Sequence, residues 1–66
     1  MGWLAVDRNG DEWEYMYEEP IFIKKDENEG YWIPNSKKDV VNNLPKGTIE
    51  KLTGINLKHK DKPIKI

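Results

Sequence analysis

Alternation of apolar and polar positions is clearest at the start of the chain. Two β-rich runs flank Arg8-Asn9-Gly10-Asp11. An Asn-Gly pair between such runs is a strong hairpin signal, because it supplies the two positive-φ residues of a type I′ turn. With Asn9 and Gly10 as the loop, Val6 faces Trp13 and Leu4 faces Tyr15 on one side of the ribbon. The other side then carries Trp3, Ala5, Glu12, Glu14 and Met16.

Beyond the break at Glu18-Glu19-Pro20, Ile21-Phe22-Ile23-Lys24 and Tyr31-Trp32-Ile33 enclose the polar loop Asp26-Glu27-Asn28-Glu29-Gly30. This pattern predicts a second hairpin with a longer loop. Asn35-Ser36-Lys37-Lys38 reads as loop, and Asp39-Val40-Val41 as a short edge strand. Leu44 to Gly54 reads as a short helix, with Pro45 at its first position and Gly54 as its left-handed stop. Ile49 and Leu52 would share its inward face. Two helical turns cannot stand alone in water, so the helix must dock on the sheet. Pro63-Ile64-Lys65-Ile66 reads as a terminal strand with both isoleucines inward. The whole predicts one α+β domain over residues 1–66. Its small, mostly antiparallel sheet has about five short strands in the order ββββ-α-β, with one short helix packed on it.

The composition narrows the range of functions. The 66 residues are 36 % hydrophobic and 35 % charged, with a net charge of −1 and no cysteine. A chain this small without disulfides folds on a marginal core. It also has no thiolate zinc site and no thiol nucleophile. The first residues lack the basic start and long apolar run of a secretory signal. No stretch approaches a membrane span, and Val6 stands where a myristoylation signal needs Ser or Thr. A cytoplasmic protein without membrane contact is expected.

Charge is divided unevenly. Residues 1–33 carry nine acids and three bases, and residues 34–66 three acids and eight bases, all lysine. Packing of the two halves against one another is the simpler reading. The functional one is a polyanion site on the lysine-rich half, with Lys58, Lys60, Lys62 and Lys65 as its basic patch. Arginine, which grips phosphate bidentately, occurs only at Arg8.

Candidate chemistry is sparse. Asp7, Asn9, Asp11 and Glu18 fall at positions 1, 3, 5 and 12 of a calcium-loop template, but Glu12 stands where the template needs glycine and the flanks are strand-like. His59, the single histidine, sits among Lys58, Lys60, Asp61 and Lys62 in what reads as a solvated loop. It has no nucleophile or orienting acid beside it in sequence. Lys46-Gly47-Thr48 resembles only the tail of a phosphate loop. No catalytic residue, metal or cofactor is expected.

Seven aromatics lie within the first 32 residues. The register above puts Trp13, Tyr15 and Tyr17 on one strand face and Trp3 on the opposite one. One short helix cannot cover both faces, so some of Trp3, Tyr17, Tyr31 and Trp32 should be partly exposed as a binding surface. Two partners follow from this. The first is a protein, or a second copy of the chain, docked on those aromatics and on an unpaired sheet edge. The second is single-stranded nucleic acid stacked on them and held by the lysines.

Two stretches carry a resemblance: Trp3-Leu4-Ala5-Val6-Asp7 with Gly10-Asp11-Glu12-Trp13, and Leu44-Pro45-Lys46-Gly47-Thr48-Ile49-Glu50-Lys51-Leu52-Thr53-Gly54 with Leu57 and Asp61-Lys62-Pro63-Ile64. Together they resemble a group of very small, uncharacterised proteins of gut-anaerobe genomes and their phages or mobile elements. The resemblance covers about half the chain and leaves residues 18–43 unmatched. It implies an intracellular accessory protein and carries over no site residues. Sequences of that group tend to hold tryptophan where His59 stands, which argues against a required role for His59.

Overall fold

A computed structural model describes residues 2–27 and 29–66; Met1, and Asn28 in the expected loop, lie outside the described residues. The elements run β1 (Trp3–Val6), β2 (Glu12–Tyr15), β3 (Ile21–Lys24), β4 (Gly30–Ile33), β5 (Val41–Leu44), α1 (Thr48–Thr53) and β6 (Ile64–Lys65). The fold is α+β as the pattern predicts, with six strands divided between two antiparallel sheets. One sheet has the order β5-β2-β1-β6, and the other is the β3–β4 ribbon alone.

The first hairpin forms where expected but in another register. Trp3 pairs with Tyr15, Leu4 with Glu14, Ala5 with Trp13 and Val6 with Glu12. The reason lies in the turn. The Gly10 amide donates to the Asp7 carbonyl and the Asp7 amide to the Asp11 carbonyl, so Arg8, Asn9 and Gly10 form a three-residue loop. Only Gly10 takes positive φ, at 90°, and Asn9 does not. Its side chain instead bonds within the loop, Oδ1 accepting from the Asp11 amide and Nδ2 donating to Oδ2 of Asp11. A one-residue slip turns every side chain of one strand to the other face. Trp3, Ala5, Trp13 and Tyr15 therefore share a face, and the expected separation of Trp3 from Trp13 and Tyr15 is corrected.

The opposite face holds Leu4, Val6, Glu12 and Glu14, and here the core forms. Leu4, Val6, Ile49 and Leu57 cluster, with Leu44 and Ile64 packed against them. The chain reaches this face by crossing from one sheet edge, β5, to the other, β6, through α1. The helix is shorter than expected. Leu44 belongs to β5, Pro45 closes a turn by accepting from the Thr48 amide, and α1 begins after Gly47. Gly54 does stop it, at φ 74°. Leu52 was expected inward, but it is 64 % exposed while Ile49 is 2 % exposed. A six-residue helix can aim only one narrow stripe at the sheet. That stripe runs from Ile49 to Thr53, four residues on, whose hydroxyl bonds the Ile49 carbonyl. At the C-terminus, Ile64 packs on the core, but Ile66 pairs with Gly2 at the sheet margin and is exposed.

Glu12 joins the sheet to the helix. It is 9 % exposed, and its Oε2 accepts from the Gly47 amide at 2.6 Å while Oε1 accepts from the Ile49 amide at 2.7 Å. Gly47, at the N-cap, has no side chain with which to satisfy those amides. A carboxylate from the neighbouring strand takes that place, at the end of the helix where negative charge is favoured. The residue that breaks the calcium-loop template is thus the pin of the fold. Three other residues of that template are engaged elsewhere, Asn9 bonding Asp11 within the turn and Asp7 Oδ1 accepting from the Trp32 amide at 3.4 Å.

Candidate functional site

The β3–β4 ribbon has two chemically different faces. Ile21 pairs with Ile33, Phe22 with Trp32, Ile23 with Tyr31 and Lys24 with Gly30. Alternation then puts Phe22, Trp32, Lys24 and Gly30 on one face and Ile21, Ile23, Tyr31 and Ile33 on the other. The Phe22–Trp32 face turns toward the body of the protein. Their rings meet edge to face at 5.0 Å, and the Trp32 indole Nε1 donates to the His59 carbonyl at 2.9 Å. Gly30 must lack a side chain here, because a Cβ would run into the Phe22 ring and lie 2.9 Å from the Ile23 carbonyl oxygen. The ribbon is tied down further by Arg8 on Glu29 at 2.8 Å and by Lys60 Nζ on the Glu27 carbonyl at 3.2 Å.

The face turned away is entirely apolar. Ile21 is 42 % and Tyr31 49 % exposed, and Ile23 and Ile33 beside them are half-buried. The other strand face with four apolar side chains, Trp3, Ala5, Trp13 and Tyr15, has none that is fully exposed. The sequence marks the ribbon only as β-branched and aromatic residues at every position, a pattern that leaves the outward face undecided.

The aromatics expected as a binding surface are dispersed. Tyr31 lies on the outward ribbon face, over a shallow hollow lined by Asp7, Arg8, Asn9 and Gly30. Trp32 lies on the inward face. Trp3, on the main sheet, is half-buried with the Lys65 ammonium 5.8 Å from its ring centroid. Tyr17 is the most exposed, in a bend whose amides at Tyr17 and Glu18 donate to the Asp39 carboxylate. The Phe22–Trp32 pair is the one ring–ring contact among the described residues, so these four aromatics form no common patch.

Lys58, Lys60, Lys62 and Lys65 are all exposed. Arg8 and Glu29, which form an ion pair at 2.8 Å, both belong to the acid-rich half. His59 is half-buried rather than solvated, and its Nε2 is buried without a partner, as is the indole nitrogen of Trp13.

Tyr15 is buried on the main sheet. Burial lifts its phenol to about 12, with the negative charges of Asp7 and Asp39 adding to the effect. A phenol so disposed holds its proton and is a poor general base. Among the described residues no three His, Cys, Asp or Glu side chains gather as metal ligands, and no helix is long and apolar enough to cross a membrane. No family model, curated protein or solved structure matches the chain.

Proposed function

We propose that the chain is a non-enzymatic protein-binding module of accessory type, docking a protein through the outward face of the β3–β4 ribbon. The carrying observation is the composition of that face, Ile21, Ile23, Tyr31 and Ile33, with two of the four more than 40 % exposed. A two-stranded ribbon with an apolar face is marginal in water unless that face is covered, and apolar, aromatic-bearing patches on small proteins mark interaction sites. The nucleic-acid reading is weaker on electrostatic grounds. The ribbon and its flanks, residues 17–33, carry five acids against two lysines, so phosphates would be repelled from the exposed aromatic that should stack.

The test is capture from a nuclease-treated lysate of the source cells at high salt, comparing the natural chain with Ile21→Thr/Tyr31→Thr. A protein retained by the first and lost by the second supports this reading. Retention by both places the interface elsewhere. Retention that disappears with nuclease or salt moves the function to the lysines, because lysine–phosphate contacts weaken steeply as salt rises.

A further inference from the structure

We infer that the outer edge of β3 pairs with the same edge of a second copy of the chain, about a two-fold axis at Phe22. Two ribbons then join into one four-stranded antiparallel sheet. The hydrogen-bond phase of the ribbon leaves that edge open. The Lys25 amide donates to the Glu29 carbonyl at 2.9 Å, and in an antiparallel ladder bonded pairs alternate with unbonded ones. Ile23–Tyr31 and Ile21–Ile33 are therefore bonded pairs, while Phe22–Trp32 and Lys24–Gly30 direct their backbone groups away from the ribbon. The Trp32 amide has the same phase, because it donates out of the ribbon to Oδ1 of Asp7. On the β3 side the outward N–H and C=O of Phe22 and Lys24 have no partner among the described residues. Such an edge is a template for a further strand.

The chain along this edge is self-complementary. Bends at Glu18 and Asp26 bound the stretch 19–25, and Phe22 is its centre. A two-fold axis there uses the whole stretch. Phe22 exchanges two hydrogen bonds with its own copy, and each Lys24 amide meets the Pro20 carbonyl of the other chain. Pro20 has no N–H to return. Side chains directly opposite one another share a face, so Ile21 lies against Ile23 and Glu19 against Lys25, each twice. Lys24 lies diagonal to Glu18 on the inward face. Asp26 turns its carboxylate back on the Glu29 amide at 2.8 Å, and Glu27 lies past the bend, opposite Tyr17. Neighbouring registers fit worse. An axis at Ile23 sets Glu19 against Glu27 and Ile21 against Lys25. One at Ile21 sets Ile23 against Glu19, and one at Lys24 sets lysine against lysine.

Charge also decides the occupant. A foreign strand with bases at both ends would meet Lys25 with like charge, and one with acids at both ends would meet Glu19 so. The fitting strand runs antiparallel, acidic at one end, basic at the other and apolar between, as residues 19–25 themselves are. Pairing also lifts the ribbon above two strands, the number that is marginal in water. The inference does not rest on the docking-face reading, because backbone edges make the contact and the apolar faces of both copies stay open.

Sedimentation equilibrium of the purified 66-residue chain should show its mass doubling between about 10 μM and about 1 mM. Hydrogen-exchange protection of the Phe22 and Lys24 amides should rise in step. Lys25→Glu and Glu19→Lys, both at exposed positions, should each weaken self-association about tenfold, since both opposed pairs become like-charged. An equimolar mixture of the two variants should associate as tightly as the natural chain, because every opposed pair is again acid with lysine. Tyr31→Thr, on β4 and away from the edge, should leave the dimer unchanged. A synthetic chain N-methylated at the Phe22 amide should keep the monomer fold and lose the dimer.

A chain that stays monomeric at about 1 mM overturns the proposal. A dimer lost in Tyr31→Thr and indifferent to both charge variants overturns it too, placing the contact on the apolar faces. Association weakened by each charge variant but not restored on mixing overturns the pairing at Phe22. Protection of the two amides by a peptide of alternating valine and threonine between lysine pairs, in a chain that does not self-associate, gives the edge to a foreign strand instead. Capture of a lysate protein on the outward face is read separately, so either proposal can fail without the other.

Discussion

Replacing Glu12 by glutamine tests whether one strand carboxylate holds the helix in place. Glu12 receives the Gly47 amide at 2.6 Å and the Ile49 amide at 2.7 Å, one on each oxygen. Hydrogen bonds to charged groups contribute about 1.5–3 kcal/mol each to stability. Glutamine keeps the shape and one acceptor, but its NH2 group must then face a backbone donor. The loss is one charge-assisted bond and the charge itself, about 2 kcal/mol. Alanine removes both bonds. Water can reach the exposed Gly47 amide but not Ile49, which is 2 % exposed, so the alanine variant should lose about 3 kcal/mol or more. A disulfide-free domain of this size has about 3–5 kcal/mol in total, so Glu12→Ala should be largely unfolded and Glu12→Gln is the variant to measure.

The assay is urea unfolding followed by far-UV circular dichroism, with thermal melting as a check. At roughly 4–8 °C per kcal/mol for a domain of this length, Glu12→Gln should melt about 8–16 °C lower. Glu14→Gln is the control. It lies on the same sheet face two residues on, but its carboxylate meets only the Asn42 amide nitrogen at 3.5 Å in an exposed setting. That change should cost less than about 0.5 kcal/mol. Equal, small losses in the two variants would refute the idea that Glu12 pins the helix.

Three further measurements bear on the fold. Ile49→Ala should cost about 3 kcal/mol in urea unfolding and Leu52→Ala less than about 0.5 kcal/mol, because only the first is buried; equal costs would mean the helix packs on a different stripe. Gly30→Ala should cost about 2 kcal/mol and flatten the near-UV dichroism, since a methyl group there displaces the Phe22 ring from Trp32. The phenol of Tyr15 stays protonated in the folded chain to about pH 12, whereas the unfolded phenol ionises near 10. Unfolding therefore releases a proton in that window, and stability should fall by about 1.4 kcal/mol per pH unit above 10 until the folded group ionises as well. Below pH 10 the group is neutral in both states and contributes no slope. Urea midpoints from pH 9 to 11.5 should show the decline in the natural chain, and Tyr15→Phe should remove it.

Both hairpins and the Gly54 stop were legible because they depend on short-range chemistry, with turn residues and β-branched runs adjacent in sequence. The first register was not. Asn-Gly fits a two-residue loop with both residues at positive φ, and it equally fits a three-residue loop with only Gly10 there. Side-chain bonds from Asn9 to Asp11 stabilise the second loop. Sequence pattern favoured the first because it gathered Leu4, Val6, Trp13 and Tyr15 on one face, whereas two sheet faces in fact share the apolar residues. Helix length and the outward turn of Leu52 follow from a tertiary contact, Glu12 on Gly47 and Ile49, between positions 35 and 37 residues apart. No local propensity encodes it.

The outward ribbon face was hidden for a related reason. Ile21, Phe22 and Ile23 are apolar at successive positions, and the same is true of Tyr31, Trp32 and Ile33. Alternation of chemistry normally reveals which face meets water, and here there is none to read. What orients the ribbon is three-dimensional: the Trp32 indole on the His59 carbonyl and the Trp32 amide on the Asp7 carboxylate. A sequence that needed only a folded hairpin could have placed threonine or serine at Ile21, Tyr31 and Ile33 at little cost to those inward contacts. Keeping all four outward positions apolar lowers solubility and invites aggregation. The clustered core of Leu4, Val6, Ile49 and Leu57 lies on the other sheet. On the docking proposal the outward ribbon face is maintained for a partner, and Ile21→Thr/Tyr31→Thr tests it, because the double variant should leave the melting temperature nearly unchanged while abolishing capture of the partner.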